Sequence, residues 1–284
     1  EAGGTTLVEP GWRAEMTPRG DLLLTLLDRR TRCPDAKRCD PTWLTLFNRR
    51  FMSIAEDMGR TLQMTARSVN IRERLDFSCA VFDAAGDLIA NAPHIPVHLG
   101  SMGDSVRAVL KRFERDMRPG DAYLINSPYA GGTHLPDITV VMPVFGAAAD
   151  RPRYFTAARA HHADVGGIAP GSMPADSTHI DQEGCLSEGM LIVREGRLRE
   201  RDVRGWLAGN RHPARNPEQN LADLQAQAAA CHLGARLLRR LEDEVGAEAV
   251  PAYMGYVQDN AEAAVQRLLG QLRDGVFSLP LDGG

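Results

Sequence analysis

Apolar residues Leu44, Phe47, Phe51, Ile54, Met58 and Leu62 recur every three or four positions, which predicts a helix with one buried stripe. Asp40-Pro41 opens it: the carboxylate can accept from free N–H groups of the first turn, and proline there forfeits no bond. Asn216-Pro217 repeats the signal ahead of Leu221, Leu224, Ala228, Cys231, Ala235, Leu238 and Leu241, a stripe close to heptad spacing. A further helix is predicted after Pro251, carrying Val257, Ala261, Val265, Leu268 and Leu272. Both stripes are expected to pack within the chain. Met102 to Phe113 reads as a shorter amphipathic helix.

Elsewhere the period is two. Phe77, Cys79 and Val81 alternate, and Ala84-Ala85-Gly86-Asp87 turns into Leu88-Ile89-Ala90, which predicts a hairpin. Tyr123 to Ile125, Ile138 to Phe145 and Tyr154 to Ala158 predict strands more apolar than a sheet with one wet face requires. Near the start, Trp12, Ala14 and Met16 alternate before a Pro18-Arg19-Gly20 turn and an apolar run from Leu22 to Leu27, a small β unit. Arg29 to Cys39 is charged and unperiodic, as a linker should be, while residues 163 to 184, rich in Gly, Pro, Ser and Asp, predict a long loop that is either functional or disordered. The pattern predicts an α+β fold: a mixed sheet body, a long N-terminal helix and a C-terminal pair of long antiparallel helices. The expected division is residues 1–39 and residues 40–284.

Composition narrows the function classes. Lys plus Arg number 33 against 37 Asp plus Glu, a net charge of -4 over 284 residues, which excludes a nucleic-acid electrostatic footprint. No apolar run approaches the length of a membrane span, so no membrane association is expected. Five widely spread cysteines make no disulfide framework, and a reducing, cytoplasmic setting is expected. Cys33 and Cys39 lack partners at zinc spacing. The Glu1-Ala2-Gly3-Gly4 start carries no signal peptide, and with the Leu281-Asp282-Gly283-Gly284 close it suggests a segment of something longer.

Candidate chemistry concentrates in the histidines. Gly131-Gly132-Thr133-His134-Leu135-Pro136-Asp137 places an imidazole and a carboxylate three apart, just before a strand. In Ala160-His161-His162-Ala163-Asp164-Val165-Gly166-Gly167, His162 and Asp164 share a face if extended, and His161 faces the other way. One imidazole and one carboxylate from each segment suit Mn²⁺, Fe²⁺, Co²⁺ or Zn²⁺. A histidine beside an aspartate is equally a hydrogen-bonded core pair, and spacing alone leaves both readings open. In Asn91 to Gly100, Pro93 and Pro96 predict an extended segment on which His94 and His98 point the same way. They form either a wall for proton transfer or a rigid connector. Asp76 heads a strand and could reach a site. Asn126-Ser127-Pro128 follows another strand, and Ser127 lacks a nucleophile-elbow context. No phosphate-cradling Gly-Lys-Ser/Thr loop is present, so any nucleotide binds elsewhere.

Asn70 to Cys79, Asn91 to Gly100, Gly131 to Asp137, His161 to Ile168 with Pro170 to Pro174, and Ala252 to Gly255 together resemble a known pattern. From about Asp40 to about Leu272 the chain is similar to the N-terminal part of the hydantoinase B half of the ATP-dependent 5-oxoprolinase family. Residues 2 to 27, with Pro10-Gly11-Trp12, are similar to the end of the hydantoinase A half, which implies a parent with both halves fused. The resemblance implies ATP-driven opening of 5-oxo-L-proline to L-glutamate, with ATP bound by the hydantoinase A-like half and this segment inactive alone. Phosphorylating the lactam oxygen makes an unstrained amide a better electrophile.

It also implies a divalent metal (Mn, Zn, Fe or Mg) on His134, Asp137 and one of His161 or His162, with Asp164 as a further candidate ligand. Asp76, His94 and His98 are the candidate catalytic residues, and Asn126 and Ser127 the candidate substrate-binding residues. The implied partners are the hydantoinase A-like ATPase half, a small cyclic amide and further copies in a homo-oligomer. Rival expectations are an ATP-dependent N-methylhydantoinase, an acetone-carboxylase-like subunit, or a non-catalytic assembly module. Two departures stand out: Met64 sits where the pattern suggests arginine, and Ser127 is an unusual centre for its triplet.

Overall fold

A computed structural model describes residues 5–9, 11–27, 33–146 and 150–279. Glu1–Gly4, Pro10, residues 28–32 of the expected linker and the Leu281–Gly284 close lie outside the described residues. Two compact units are present, Glu1–Pro34 and Asp35–Gly284. In the first, β1 (Trp12–Met16) and β2 (Leu22–Leu26) form an antiparallel hairpin with Trp12 opposite Leu26. Gly20 turns it at φ 85°, a backbone region that glycine enters without steric cost.

The second unit begins with α1 (Pro41–Thr65). The Asp40 carboxylate accepts from Thr42 N–H at 2.8 Å and Trp43 N–H at 3.2 Å, so the cap forms as the Asp-Pro signal predicts. Phe47, Phe51, Ile54, Met58 and Leu62 are buried. After the one-turn α2 (Val69–Arg72) come β3 (Phe77–Phe82), β4 (Leu88–Asn91), α3 (Pro96–Phe113), β5 (Ala122–Ile125), β6 (Asp137–Phe145) and β7 (Pro152–His161). β8 (Met190–Arg194), β9 (Arg197–Leu198), α4 (Glu200–Ala208), α5 (Pro217–Val245) and α6 (Ala249–Leu269) complete the unit.

Seven strands form one sheet in the order β4-β3-β7-β6-β5-β8-β9. The sheet expected to be mixed is antiparallel at every pairing: β3–β4, β5–β6, β6–β7 and β8–β9 are consecutive strands that double back on each other, and β3–β7 and β5–β8 pair antiparallel across long stretches of chain. Both faces are covered. Phe77, Cys79, Val81, Ile138, Val140, Tyr154, Ala158 and Ala160 face the core that holds α1, α5 and α6. Ala80, Phe82, Val141, Phe155 and Ala157 face the second core, which holds Met102, Val106 and Val109 of α3. That double coverage is why the strands read as apolar runs.

Three further expectations change. α3 starts at Pro96 rather than near Met102, because a proline at the first helical position initiates a helix instead of forbidding one. His94 therefore stays outside the helix while His98 enters its first turn, and the two do not share a direction. On α6, Val257 is buried but Val265 and Leu268 of the predicted stripe are exposed, and Leu272 lies past the end of the helix. β8, β9 and α4 are not among the expected elements, although β8 opens with the apolar run Met190 to Val193.

α6 is fastened at its start. Tyr253 stacks on Phe47 with ring centroids 4.4 Å apart and planes 12° off parallel, both rings buried. Phe47→Ala is expected to cost about 3–5 kcal/mol in chemical denaturation, the usual range for emptying a buried aromatic site. A loss under about 1 kcal/mol would show that this contact does not hold α1 to α6.

Candidate metal centre

The β6–β7 register sets the centre. Asp137, the first residue of β6, lies opposite His161, the last of β7, and the His161 N–H donates to the Asp76 carbonyl at 3.0 Å. Asp76, Asp137 and His161 therefore form a row across three strands at one end of the sheet. Side chains alternate along each strand, so this row shares its face with Ser78, Thr139 and Arg159, two residues further along. That is the α3 face, and α3 brings His98 down onto it. Leu75, just before the row, holds a φ of 57°, unusual for a branched residue. Bonds from Asp76 N–H to Asn70 O and from Phe77 N–H to Leu75 O brace the turn.

His134 arrives from the loop between β5 and β6. Gly131 begins that loop at φ 83°, and a side chain on it would run into the backbone of Asp104 and Ser105 of α3. The Asp137 N–H donates to the His134 carbonyl at 3.0 Å, closing a turn through Pro136.

Asp137 is the hub. Its carboxylate lies 3.1 Å from His134 Nδ1, 3.1 Å from His161 Nδ1 and 3.3 Å from His98 Nε2, and it accepts from Thr133 Oγ1 at 2.5 Å. Burial alone would push the carboxyl up, but the bonds from His134, His161, His98 and Thr133 win and hold it far below the ordinary carboxylate range. The bond to Asp137 raises the pKa of His134 against the opposing effect of burial. With its side chain 39% exposed, His134 marks the open side of the cluster. Asp76 stands at the rim, 3.8 Å from His98 Nε2 and 3.9 Å from His161 Nδ1.

One donor atom each from His134, Asp137 and His161 lies within 4.8 Å of the other two. Two imidazoles and one carboxylate, with His134 on the exposed side, fit a first-row divalent metal such as iron, manganese or zinc. His98 then stands behind Asp137. It is buried, and its Nδ1 lies 3.2 Å from Ser78 Oγ.

The other candidates lie elsewhere. His162, next along β7, points to the opposite face. It is fully buried, its Nε2 is 2.9 Å from Gln227 Oε1 and its Nδ1 accepts from Asn220 Nδ2 at 3.1 Å, so both ring nitrogens are engaged by α5. Burial lowers its pKa and keeps it neutral. Asp164 clamps the following loop instead of meeting Asp137: it accepts from the N–H groups of Gly166, Gly171 and Arg215, and pairs with the Arg215 guanidinium at 2.7 Å. His94 packs on Phe77 and Gly59, and its Nδ1 accepts the Cys79 N–H at 3.1 Å. Asn126 is buried; its amide donates to the carbonyls of Leu135 and Cys185, so it braces the loop that carries His134. Ser127 is buried beside it. Cys33 and Cys39 are exposed free thiols.

Sequence reasoning passed over Thr133, Ser78, Asn220, Gln227 and Arg159. Only Arg159 carried a readable signal: a lone charge between Ala158 and Ala160 in an apolar strand.

The comparisons with known proteins agree with one another. The family model Hydantoinase B/oxoprolinase matches residues 40–283. The 5-oxoprolinase 1 of Arabidopsis thaliana is 44% identical over 283 residues, covering 96% of this chain and 22% of that protein. The 5-oxoprolinase of Dictyostelium discoideum is 41% identical over 279 residues, covering 98% of this chain and 22% of that protein. Among solved structures, the ATP-dependent caprolactamase from Pseudomonas jessenii superposes with a TM-score of 0.75 at 29% identity, covering 84% of this chain and 40% of that one. The chain belongs to the hydantoinase B/oxoprolinase family, and it spans about a fifth of the length of the two 5-oxoprolinases.

Burial, reinforced by the neighbouring His98, lowers the pKa of His94 from 6.5 to about 4. The unfolded chain therefore takes up this proton first. The contribution of His94 to stability is complete above pH 6.5 and falls as the pH drops toward about 4. His94→Gln should flatten the stability curve across that window in denaturation series, and parallel curves would contradict the assignment.

Proposed function

From that family membership we propose that this chain supplies the metal-holding part of an ATP-dependent cyclic-amide hydrolase that opens 5-oxo-L-proline to L-glutamate. The observation that carries the reading is the Asp137 carboxylate held between His134 and His161 at the open end of the sheet. Likeness to two 5-oxoprolinases over almost the whole chain supports the substrate, and likeness to an ATP-dependent caprolactamase supports ring-amide chemistry more broadly. In this reading residues 1–39 are the end of a hydantoinase A-like half plus linker, and residues 40–284 are the N-terminal part of the B-like half. The ATPase half binds ATP and is the working partner. The protein acts in the cytoplasm as a homo-oligomer, and no helix among the described residues is long and apolar enough to cross a membrane.

His134, Asp137 and His161 would hold a divalent metal, which when bound polarises a carbonyl or lowers the pKa of water. The protein's own contribution is arrangement. Asp137 stays ionised without a metal because four side chains donate to it, so the negative charge is in place before any cation arrives. His98 and Thr133 fix the orientation of that carboxylate. Asp76, partly exposed at the rim, is the group placed to accept a proton from water on the open side. His162 anchors α5 to the back of the sheet and takes no part in ligation.

The intact protein, given ATP and 5-oxo-L-proline, should release glutamate and phosphate in equal amounts. Phosphate release only with a hydantoin or another lactam would contradict the substrate assignment. Elemental analysis should find one divalent ion per chain, lost in His134→Ala, Asp137→Ala and His161→Ala and retained in His162→Ala. Activity of the first three should fall at least about 100-fold, since even outer-shell partners of a metal are worth about 10- to 100-fold. Equal, negligible metal in wild type and variants would favour a non-catalytic module.

A further inference from the structure

Arg159 is the largest side chain that the fold buries completely. It sits on β7 among alanines, in the row just beneath Asp76, Asp137 and His161, with Thr139 opposite it on β6 and Ser78 opposite it on β3. A guanidinium has five N–H donors in a planar fork, and all five find acceptors here. Nε donates to Thr139 Oγ1 at 2.7 Å. One terminal nitrogen donates to the His98 carbonyl at 3.2 Å and to Ser101 Oγ at 2.6 Å. The other donates to Ser105 Oγ at 2.8 Å and to the Gly131 carbonyl at 2.9 Å. Every one of these partners is a neutral oxygen.

Such a burial is costly. An ionised group removed from water loses its hydration, and an apolar side chain of similar volume would fill the space without that penalty. Burial does lower the pKa of Arg159, to about 10, but the side chain remains a cation at neutral pH. What the cation accomplishes is visible in the origin of its acceptors. Thr139 is two residues past Asp137, and Gly131 begins the loop that delivers His134 three residues later. His98 O, Ser101 and Ser105 belong to the first turns of α3, the helix that presses His98 onto Asp137. These are the three segments that must meet for the centre to exist.

Resting on the metal reading above, we infer that Arg159 is the positioning residue of that centre, a single fork that fixes β6, the His134 loop and α3 against β7. The fork matters as well as the charge. Its three nitrogens serve Thr139 of β6, the His98–Ser101 turn of α3 and the Ser105–Gly131 pair at once, whereas a lysine offers three donors from one point and cannot reach all three places together.

The test uses manganese and the intact protein. The dissociation constant is measured by chelator competition and the bound ion's environment by electron paramagnetic resonance, with circular dichroism reporting the fold. Arg159→Met should weaken manganese binding about 10- to 100-fold, as loss of an outer-shell support does, and alter the spectrum of the ion that remains. Arg159→Lys should recover part of the affinity but not the native spectrum. If Arg159→Met does not fold, Ser101→Ala and Ser105→Ala carry the test, each expected to weaken binding about 2- to 10-fold, the worth of one hydrogen bond. Folded variants with wild-type affinity and spectrum would overturn the inference and leave the metal reading standing. A wild-type protein that takes up no manganese would overturn both.

Discussion

The antiparallel pairing of β6 with β7 puts Asp137 opposite His161, and the rest of the centre is built around that pair. Side chains on a strand alternate, so a slip of β7 by one residue would send His161 to the α5 face and bring His162 forward in its place. Several contacts hold the register. Nine residue pairs run from Asp137–His161 to Phe145–Pro152. On the back of the sheet the Gln227 amide donates to the carbonyls of Ile138 and Ala158, one on each strand, at 2.8 Å. The same glutamine engages His162. The histidine that does not face Asp137 thus helps to aim the one that does.

Electrostatics makes the arrangement more than a convergence of side chains. Asp137 is buried, and an isolated carboxylate there would take up a proton rather than stay charged. Three imidazoles and a threonine hydroxyl reverse that balance, which leaves an ionised acceptor with imidazole nitrogens on two sides. The buried Arg159, one row beneath, keeps the three supporting segments in place without touching the carboxylate.

Much of the fold was legible because its signals are local. Stripe spacing and the two cap-proline pairs marked α1 and α5, and alternation marked β3. The apolar runs marked β6 and β7 because both sheet faces are covered. Pro96 misled because a proline's effect depends on whether a helix is beginning or continuing, and periodicity alone did not separate the cases. The exposed half of α6 kept its stripe on paper, since spacing records which residues share a face and not what covers it. The His134–Asp137 turn and the opposite facing of His161 and His162 followed from spacing and period. That Asp164 would turn away to clamp Gly166, Gly171 and Arg215 did not, because its partner Arg215 is 51 residues away. Separations of 65 and 58 residues from His162 likewise hid the roles of Gln227 and Asn220.

Crystals of the intact protein, loaded with Mn²⁺ and measured at a wavelength where manganese scatters anomalously, address the central claim directly. The account predicts a peak on the α3 face of the sheet, within coordination distance of His134, Asp137 and His161 together. A peak coordinated by His162 or Asp164, or a map with no peak at the Asp137 carboxylate, would contradict it.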